Sequence, residues 1–252
     1  PGISFSYLYY DFQLNFFLIL IGMLSATFLS SSNYLMNEFV DRNSDRFHPF
    51  KKERELVGQN IDLKNILLIY IILIIFAFYL ANKINIYFFC VILIFWINAI
   101  LYNIKPIKLK DYAIFDISSE ALNNPLRLFL GWFMFENWSD TNTIDLKLPP
   151  ISLIVLYFSL GVFLMTSKRY AEYLFFNKFS NKNKLISYRK SYKFYNTNNL
   201  LVILFFALMV MAFNSGVFLY KYRVELILIY PLLLLIFSYY FYLTIKNPEK
   251  SI

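Results

Sequence analysis

The sequence predicts an all-α fold, a polytopic bundle of transmembrane helices that forms a single domain over residues 1–252. Of its residues, 59% are hydrophobic and 16% are charged, and the mean hydropathy is +0.52. This balance excludes a disordered chain, a coiled coil and an ordinary soluble domain. Six Gly and one Cys exclude a Gly-rich phosphate loop, a disulfide framework and a Cys-based metal site. Charge-free runs such as 12–37 are long enough to cross a bilayer.

About seven spans are expected, because each apolar run supplies the roughly 20 residues that a helix needs to cross the membrane. In chain order they are 14–36, 62–81, 85–102, 112–135, 150–167, 199–219 and 225–244. Alternation across the membrane then places on one face the loops 37–61, 103–111 and 168–198 and the tail from 245, and on the other the connections around 83, 136–149 and 220–224.

The charges indicate which face is which. Of the 24 Lys and Arg residues, 18 fall on the first face, which the positive-inside rule makes the cytoplasmic face of the plasma membrane. Topology therefore accounts for most of the net charge of +8, and no nucleic-acid partner is expected. The remaining positive charge suits membrane lipid or a phosphorylated substrate.

The first span lacks a turn signal at its end and is predicted to continue as a helix until the His-Pro pair at 48–49 stops it. On such a helix Asn37, Asp41 and Asp45 lie at i, i+4 and i+8 and share one face. Their hard oxygen atoms suit a Mg²⁺ ion that keeps waters and bridges to substrate phosphates. The basic segment 51–54 follows and supplies cations for phosphate oxygens. Together they predict a diphosphate site.

The alternative interpretation of this segment is a solvated helix end at the cytoplasmic surface. In that case Arg42 and Arg46 merely pair with Asp41 and Asp45. His48 does not decide between the two, because a single His beside a Pro is more often a loop capping group than a base or a metal ligand.

The fourth span carries a polar stripe in which Asp116, Glu120 and Arg127 fall at i, i+4 and i+11, with two Asn residues at 123–124 between them. A charge at mid-bilayer costs about 2.5 to 3.5 kcal/mol on insertion scales, so the stripe is expected to face inward. Asp116 or Glu120 is a candidate to orient a substrate or to stabilise a cation. The structural alternative is an ion pair of Glu120 with Arg127, or of Asp116 with a Lys of the loop 103–111.

Two further cations lie where the fifth span is predicted to leave the membrane. Lys168 and Arg169 are adjacent there, and Glu172 follows Lys168 at i+4. They are expected at the same membrane depth as Asp41 and Asp45. The alternative is the belt of basic residues and interfacial aromatics that flanks many cytoplasmic helix ends.

At these residues the chain resembles the UbiA superfamily of intramembrane prenyltransferases. The first aspartate-rich motif of that family reads Asn-Asp-x-x-Asp-x-x-x-Asp and is followed by Lys-x-Arg-Pro. The matching segments here are 37–45 and 52–55, with Glu38 in place of the first Asp and a Glu in place of the Pro. Neither departure removes Asp41 or Asp45, to which the resemblance assigns the metal role of the family.

The second Asp-x-x-x-Asp motif of the family is replaced here by Lys168-Arg169-Tyr170-Ala171-Glu172. That segment and 45–51 look like the branch that contains decaprenyl-phosphate phosphoribosyltransferase, whose donor is phosphoribosyl pyrophosphate and whose acceptor is a polyprenyl phosphate. Lys and Arg fit a donor with an extra 5-phosphate that is bound directly rather than through a second metal. Because UbiA-like folds resemble nine-helix bundles, seven spans imply a fragment that lacks one helix at each end.

The resemblance implies a membrane-embedded transferase with Mg²⁺ as cofactor. Its partners are a diphosphate donor, either a prenyl diphosphate or phosphoribosyl pyrophosphate, and an acceptor, one of the two substrates being a polyprenyl lipid; phosphoribosyl transfer is slightly favoured. The expected catalytic residues are Asp41, Asp45, Asp116 and Glu120. The expected metal ligands are Asn37, Asp41 and Asp45. The expected substrate-binding residues are Asn37, Glu38, Lys52, Arg54, Lys168 and Arg169.

Two other classes of protein remain open. A transporter would use the polar stripe of the fourth span as a permeation path and would show Gly- or Pro-interrupted helices in paired halves, of which Pro125 and Pro231 are the few signs. A non-catalytic membrane scaffold would owe its carboxylates to surface solvation and would bind no Mg²⁺-diphosphate.

Overall fold

The computed structural model describes residues 2–10, 15–48, 50–58, 62–134, 148–179, 182–222, 224–228 and 230–250. The helices among them are α1 (Gly2–Tyr10), α2 (Phe16–Asp41), α3 (Leu63–Ala81), α4 (Ile86–Asn103), α5 (Phe115–Ala121), α6 (Asn123–Trp132), α7 (Ile151–Phe179), α8 (Lys182–Tyr188), α9 (Thr197–Tyr222) and α10 (Tyr230–Lys246). Short 3₁₀ turns cover Asp45–Phe47, Lys51–Glu53, Leu109–Asp111, Lys190–Lys193, Val224–Leu228 and Pro248–Lys250. The described part of the chain contains no strand, which confirms the all-α prediction.

Five of the described helices are long and apolar enough to cross a membrane, namely α2, α3, α4, α7 and α9. Side-chain caps help to start three of them, because Asn15, Asp62 and Asn85 accept hydrogen bonds from the first backbone N–H groups of α2, α3 and α4. The predicted last span is shorter, since α10 has 17 residues and begins beside Pro231, which is tolerated in a first turn. Most of the predicted connection 136–149 lies outside the described residues.

The chain divides into two compact units, and the first comprises residues 1–43, 53–108 and 125–149. Within it α2 packs against α3 and α4. The Ser25 hydroxyl of α2 donates to the Ala77 carbonyl of α3 at 2.8 Å, and the small residues allow this close approach of two backbones. Between α3 and α4, the indole Nε1 of Trp96 donates to the Tyr70 hydroxyl at 3.0 Å.

The second unit comprises residues 44–52, 109–124 and 150–252. Its centre is α7, which packs along α9 and also contacts α5 and α10. Aromatic side chains fill much of the space, as where Phe163 of α7 meets Phe237 of α10 with ring centroids 5.8 Å apart. The main buried cluster joins α7 to the segments around α8; it consists of Ile117, Tyr170, Tyr173, Phe176, Leu185, Tyr188, Tyr192, Tyr195 and Leu200.

Helix α2 ends earlier than the sequence predicts. Its last residue is Asp41, and Asp45 instead opens the 3₁₀ turn Asp45–Phe47. The intervening Asn and Ser, with Asp45, favour turns because their short side chains compete for backbone hydrogen bonds. The prediction that Asp45 shares a helical face with Asn37 and Asp41 is therefore wrong, while Asn37 and Asp41 do lie at i and i+4 of one helix.

Helix α7 ends later than predicted. The fifth span was expected to stop at 167 and a loop to run from 168 to 198, but α7 continues to Phe179. Half of residues 168–179 are good helix formers and none is Gly or Pro, so the helix continues beyond its apolar stretch. Arg169 and Glu172 are consequently held on a rigid helix rather than in a loop.

The predicted fourth span, 112–135, is not one helix. Helix α5 ends at Ala121 and α6 begins two residues later. Pro125 explains the break, because it has no N–H to donate to the carbonyl four residues earlier. The polar stripe is divided accordingly: its acidic residues lie on α5, and Arg127 lies on α6.

Helices α5 and α7 approach each other closely at Gly161. A Cβ atom on Gly161 would lie 2.7 Å from the carbonyl oxygen and 2.8 Å from the Cα of Ala121, and 2.5 Å from the Asn124 side-chain nitrogen. Backbone atoms cannot yield to such a contact, so glycine is required. This approach positions the acidic face of α5 against α7.

We expect Gly161→Val to separate α5 from α7 and to lower the stability of the chain by about 1–3 kcal/mol, as overpacking in a close contact does. The matched control is Gly216→Ala on α9, where an added Cβ meets nothing within 4 Å and where removing a helical Gly is expected to stabilise by up to about 1 kcal/mol. Thermal unfolding of both detergent-solubilised variants, followed by circular dichroism, makes the comparison. Equal unfolding midpoints would contradict the close approach.

Candidate functional site

A buried arginine lies at the centre of the second unit. The side chain of Arg169 is 1% exposed and its guanidinium contacts three carboxylates. Its Nε donates to Asp116 Oδ2 at 3.2 Å, its Nη1 to Glu172 Oε2 at 3.0 Å and its Nη2 to Glu120 Oε2 at 3.0 Å. Because each nitrogen has a different carboxylate partner, the guanidinium is fixed in one orientation. We call these four residues the Arg169 network.

Helical spacing explains why these groups meet. Asp116 and Glu120 lie at i and i+4 of α5, and Arg169 and Glu172 lie at i and i+3 of α7, so each pair shares one face. Asp116 is fully buried and Glu120 partly so, as expected for an inward-facing stripe. Among the described residues, however, the cation that they share is Arg169, and neither alternative pairing considered from the sequence is seen.

The segment after α8, residues 189–195, supplies further hydrogen-bond and ion-pair partners of Asp116. Ser191 Oγ donates to Asp116 Oδ2 at 3.0 Å, and the Tyr195 hydroxyl donates to Oδ1. Arg189 adds a second cation, with Nη1 3.8 Å from Oδ2. Every contact on this carboxylate is thus a donor or a cation, which is what a buried Asp⁻ requires.

A hydroxyl donor and a cation likewise lie next to the Glu172 carboxylate. The Tyr192 hydroxyl donates to Oε2, and Lys51 Nζ lies 3.6 Å from Oε1. Lys51 also donates to the Tyr188 hydroxyl. Burial raises the pKa of both Tyr188 and Tyr192 above the ordinary value, so these hydroxyls keep their protons and remain donors. Burial lowers the pKa of Lys51, although the nearby Glu172 opposes this shift.

His48 caps the turn that carries Lys51. Its Nδ1 accepts the backbone N–H groups of Phe50 at 3.3 Å and Lys51 at 3.2 Å, which confirms the capping role considered for it. An accepting Nδ1 places the proton of the neutral ring on Nε2, 3.7 Å from Glu172 Oε1. His48 is 1% exposed, and burial lowers its pKa. It is therefore neutral at pH 7 and contributes as a rigid support.

The two aspartates of the first motif are buried. Asp41 ends α2 in the first unit and is 8% exposed, while Asp45 belongs to the second unit and is 1% exposed. Such burial does not fit the alternative of a solvated helix end. Asn37 and Glu38, one turn earlier on α2, are half-buried.

The two basic residues Lys52 and Arg54, which follow the motif, differ in exposure. Lys52 is exposed, so its side chain is accessible to a soluble anion. Arg54 is half-buried, and its guanidinium lies 5.7 Å from the centre of the Tyr34 ring, a cation–π distance. Both are basic side chains of the kind that binds diphosphate oxygens.

The oxygen atoms of the first motif suit Mg²⁺, which keeps bound waters, better than they suit a metal whose ligands all come from the protein. Among the described residues, no group of three or more His, Cys, Asp and Glu side chains is close enough to hold a metal ion. The first motif offers the carboxylates of Asp41 and Asp45 and the carboxamide of Asn37. Mg²⁺ is usually held by one or two carboxylates, with waters and substrate phosphates completing its shell.

The structure separates the two cations that the sequence groups together. Arg169 is enclosed by carboxylates, whereas Lys168 is half-buried and forms no hydrogen bond or ion pair within the described residues. Of this pair, Arg169 is therefore the one that belongs to the carboxylate network.

The sequence analysis missed the hydroxyl donors and Arg189 around the carboxylates. The sequence does show a polar, Tyr-rich stretch at 188–195, but its partners are residues 16 to 79 positions away in the chain. Nothing in a single sequence indicates such pairings.

Comparison with known proteins identifies the fold. The model of the UbiA prenyltransferase family matches residues 3–251. The chain belongs to the UbiA prenyltransferase family. Membership makes it an integral membrane protein and a transferase of the prenyltransferase type. None of the curated proteins matches it.

Solved structures of UbiA homologs resemble this UbiA-family chain throughout its length. A UbiA homolog from Archaeoglobus fulgidus bound to DMAPP and Mg²⁺ is 21% identical, with a TM-score of 0.74 over 96% of this chain and 80% of that chain. A structure with GPP and Mg²⁺ from the same organism is 21% identical, with a TM-score of 0.71 over 90% and 75%. One with Cd²⁺ is 20% identical, with a TM-score of 0.67 over 91% and 76%. At these identities the similarity establishes the fold.

Replacing Arg169 by Leu is expected to destabilise this UbiA-family chain by about 3–5 kcal/mol, since it removes the cation shared by buried carboxylates. The control Lys190→Gln breaks an ion pair with Asp111 whose Lys side chain is 74% exposed, and should cost less than about 1 kcal/mol. Chemical denaturation of both variants in detergent measures the difference. A loss for Arg169→Leu no larger than for the control would show that the network is not a structural support.

The lowered pKa of His48 predicts a pH-dependent stability. The folded chain binds fewer protons at His48 than the unfolded chain does, so this contribution is complete above the unfolded pKa of about 6.5 and declines as the pH falls below it, by at most about 1.4 kcal/mol per unit. The charges around the ring are Lys51 and Lys168, which oppose protonation, and Glu172, which favours it; Tyr188 stays neutral.

The variant His48→Asn keeps a hydrogen-bond acceptor but cannot titrate. Between pH 7.5 and 5.5, the wild type is therefore expected to lose more thermal stability than His48→Asn. Parallel losses in the two proteins would show that His48 does not carry the effect.

Proposed function

We propose that this chain is a Mg²⁺-dependent transferase that breaks the bond between a carbon atom and a diphosphate and joins that carbon to an acceptor, with a polyprenyl lipid as one substrate. Phosphoribosyl pyrophosphate is the favoured donor and a polyprenyl phosphate the favoured acceptor. The observation that carries the proposal is the burial of Asp41 and Asp45, at the positions where the family motif places its metal-binding carboxylates. The reported complexes of the A. fulgidus homologs with DMAPP or GPP and Mg²⁺ support a diphosphate donor.

Asn37, Asp41 and Asp45 are the proposed metal ligands, and Glu38 is proposed to support them. When bound, Mg²⁺ would neutralise charge on the diphosphate as it leaves. Lys52 and Arg54 would add fixed positive charge for the same group, which needs most stabilisation in the transition state.

Lys168 favours a phosphoribosyl donor. The second acidic motif of the family would bind a further metal, but the corresponding part of α7 carries Lys168 and an Arg169 that is already paired with carboxylates. A lysine without an ion pair among the described residues attracts an additional phosphate directly. Phosphoribosyl pyrophosphate carries such a phosphate at its 5-position, and simple prenyl diphosphates do not.

The acidic residues of α5 have different proposed roles. Asp116 is fully buried and surrounded by donors, so it acts as a positioning residue together with Arg169. The side chain of Glu120 is 31% exposed, and it is the carboxylate of the network that can face a substrate. There it would stabilise the electron-poor carbon after the C–O bond breaks and the electron pair leaves with the diphosphate. An oxygen of the acceptor phosphate then supplies the electron pair for the new bond.

The positive-inside pattern supports a site on the cytoplasmic side of the plasma membrane. That side holds soluble phosphorylated donors, while the acceptor lipid arrives from the bilayer. The proposed division between a soluble donor and a lipid acceptor agrees with polar motifs at helix ends and apolar spans beside them.

The test is transfer of label into lipid by membranes that contain the full chain, with Mg²⁺, a polyprenyl phosphate and labelled phosphoribosyl pyrophosphate. A parallel arm uses a labelled prenyl diphosphate and an aromatic acceptor. We expect label from the first donor in lipid. Asp41→Asn and Asp45→Asn should each reduce the rate at least about hundredfold, because a lost electrostatic contact to the leaving group typically costs that much.

Glu249→Gln, which neutralises an exposed acidic residue, is the matched control and should retain full activity. Chemical denaturation establishes that the Asn variants are folded. Full activity in either Asp variant would refute the metal role, while transfer only from the prenyl donor would refute the phosphoribosyl assignment and keep the family activity.

A further inference from the structure

Asn33 of α2 has a buried carboxamide that forms no hydrogen bond with any described residue. Neither its Oδ1 nor its Nδ2 has a partner within the described residues, although both atoms are shielded from solvent. Two other polar side chains of α2 are satisfied by the helix itself, since Thr27 donates to the Met23 carbonyl and Ser32 to the Leu29 carbonyl, both at 2.8 Å. A buried amide that misses both a donor and an acceptor is rare in folded proteins.

The position of Asn33 connects it to the first motif. Asn33, Asn37 and Asp41 lie at i, i+4 and i+8 of one continuous helix and share a face. Along the helix axis Asn33 lies about 6 Å from Asn37 and about 12 Å from Asp41, away from the helix end and deeper in the apolar span. A group attached to a diphosphate at Asp41 and extending into the bilayer would pass Asn33.

The chemistry of the amide restricts what can satisfy it. A carboxamide needs one partner that donates to Oδ1 and one that accepts from Nδ2. An ionised phosphate only accepts, and the hydrocarbon of a prenyl chain does neither. A hydroxyl group does both, and two neighbouring hydroxyls can satisfy both atoms together.

We propose that Asn33 binds a hydroxyl-bearing part of a substrate and thereby selects against an all-hydrocarbon group at this depth. The proposal rests on the proposed function, because it places the diphosphate at the first motif. The hydroxyls can come from a sugar in the donor or from the acceptor, and the experiment distinguishes these sources.

The experiment measures binding to the full chain in nanodiscs by titration calorimetry with Mg²⁺. The ligands are inorganic pyrophosphate, phosphoribosyl pyrophosphate, DMAPP and, separately, a phenolic acceptor in the presence of pyrophosphate. The variant is Asn33→Leu, which is similar in size but apolar. The control is Thr27→Val, an equally conservative polar-to-apolar change on the same helix at an exposed position.

For Asn33→Leu we expect binding of phosphoribosyl pyrophosphate to weaken at least tenfold, while binding of pyrophosphate stays within twofold of the wild type. Binding of DMAPP should be unchanged or tighter. The ligand-free variant should unfold at the same temperature as the wild type or higher, because an unsatisfied buried amide has been removed. Thr27→Val should change none of these affinities.

Each of the other possible results either supports or overturns the proposal about Asn33. Weakened binding of the phenolic acceptor alone assigns the hydroxyl to the acceptor and supports the proposal. Unchanged affinities for every ligand overturn it, as does a lower unfolding temperature of ligand-free Asn33→Leu, which would reveal a structural amide. If wild-type protein binds no pyrophosphate with Mg²⁺, the proposed function itself fails, and the inference about Asn33 fails with it.

Discussion

The second unit depends on one buried cation, the guanidinium of Arg169. Moving a charge out of water costs several kcal/mol, and the cost is recovered only if every charged atom has a partner with good geometry. Arg169 meets this condition through three carboxylates on two helices. The same carboxylates hold the segment after α8 through hydroxyl donors. The network therefore fixes α5, α7 and that segment together.

The charges of this cluster have a consequence for ligand binding. Asp116, Glu120 and Glu172 supply three negative charges, and Arg169, Arg189 and Lys51 lie within 4 Å of one or more of them. Asp45 also acts on Lys51 and adds a further acidic group to the cluster. Lys168 adds a positive charge that has no ion-pair partner in the described parts of the chain. Under the proposed function, Lys168 is the cation of this cluster that would bind an additional phosphate of the donor directly.

The sequence predicts what depends on local composition and misses what depends on distant contacts. Hydropathy identifies the five long helices, and the spacing of Asn37 and Asp41 predicts their shared face. Hydropathy averages over a window and so overlooks the break that Pro125 causes. Helical spacing allows Glu120 to pair with Arg127. Close packing of α5 against α7 at Gly161 instead brings Arg169 to Glu120. Which of two possible ion-pair partners a side chain takes depends on tertiary packing, which a single sequence does not show.

Satisfied and unsatisfied polar groups in the described residues indicate different kinds of role. Asp116, Arg169 and Glu172 each have several hydrogen-bond partners, so a ligand that bound to Asp116 or Glu172 would have to displace partners that already stabilise them. An unpaired buried group such as Asn33 costs free energy that the folded chain recovers only when something else supplies the missing hydrogen bonds. Because selection retains such a cost where function requires it, the unsatisfied positions are better guides to substrate contacts than the strongest ion pairs.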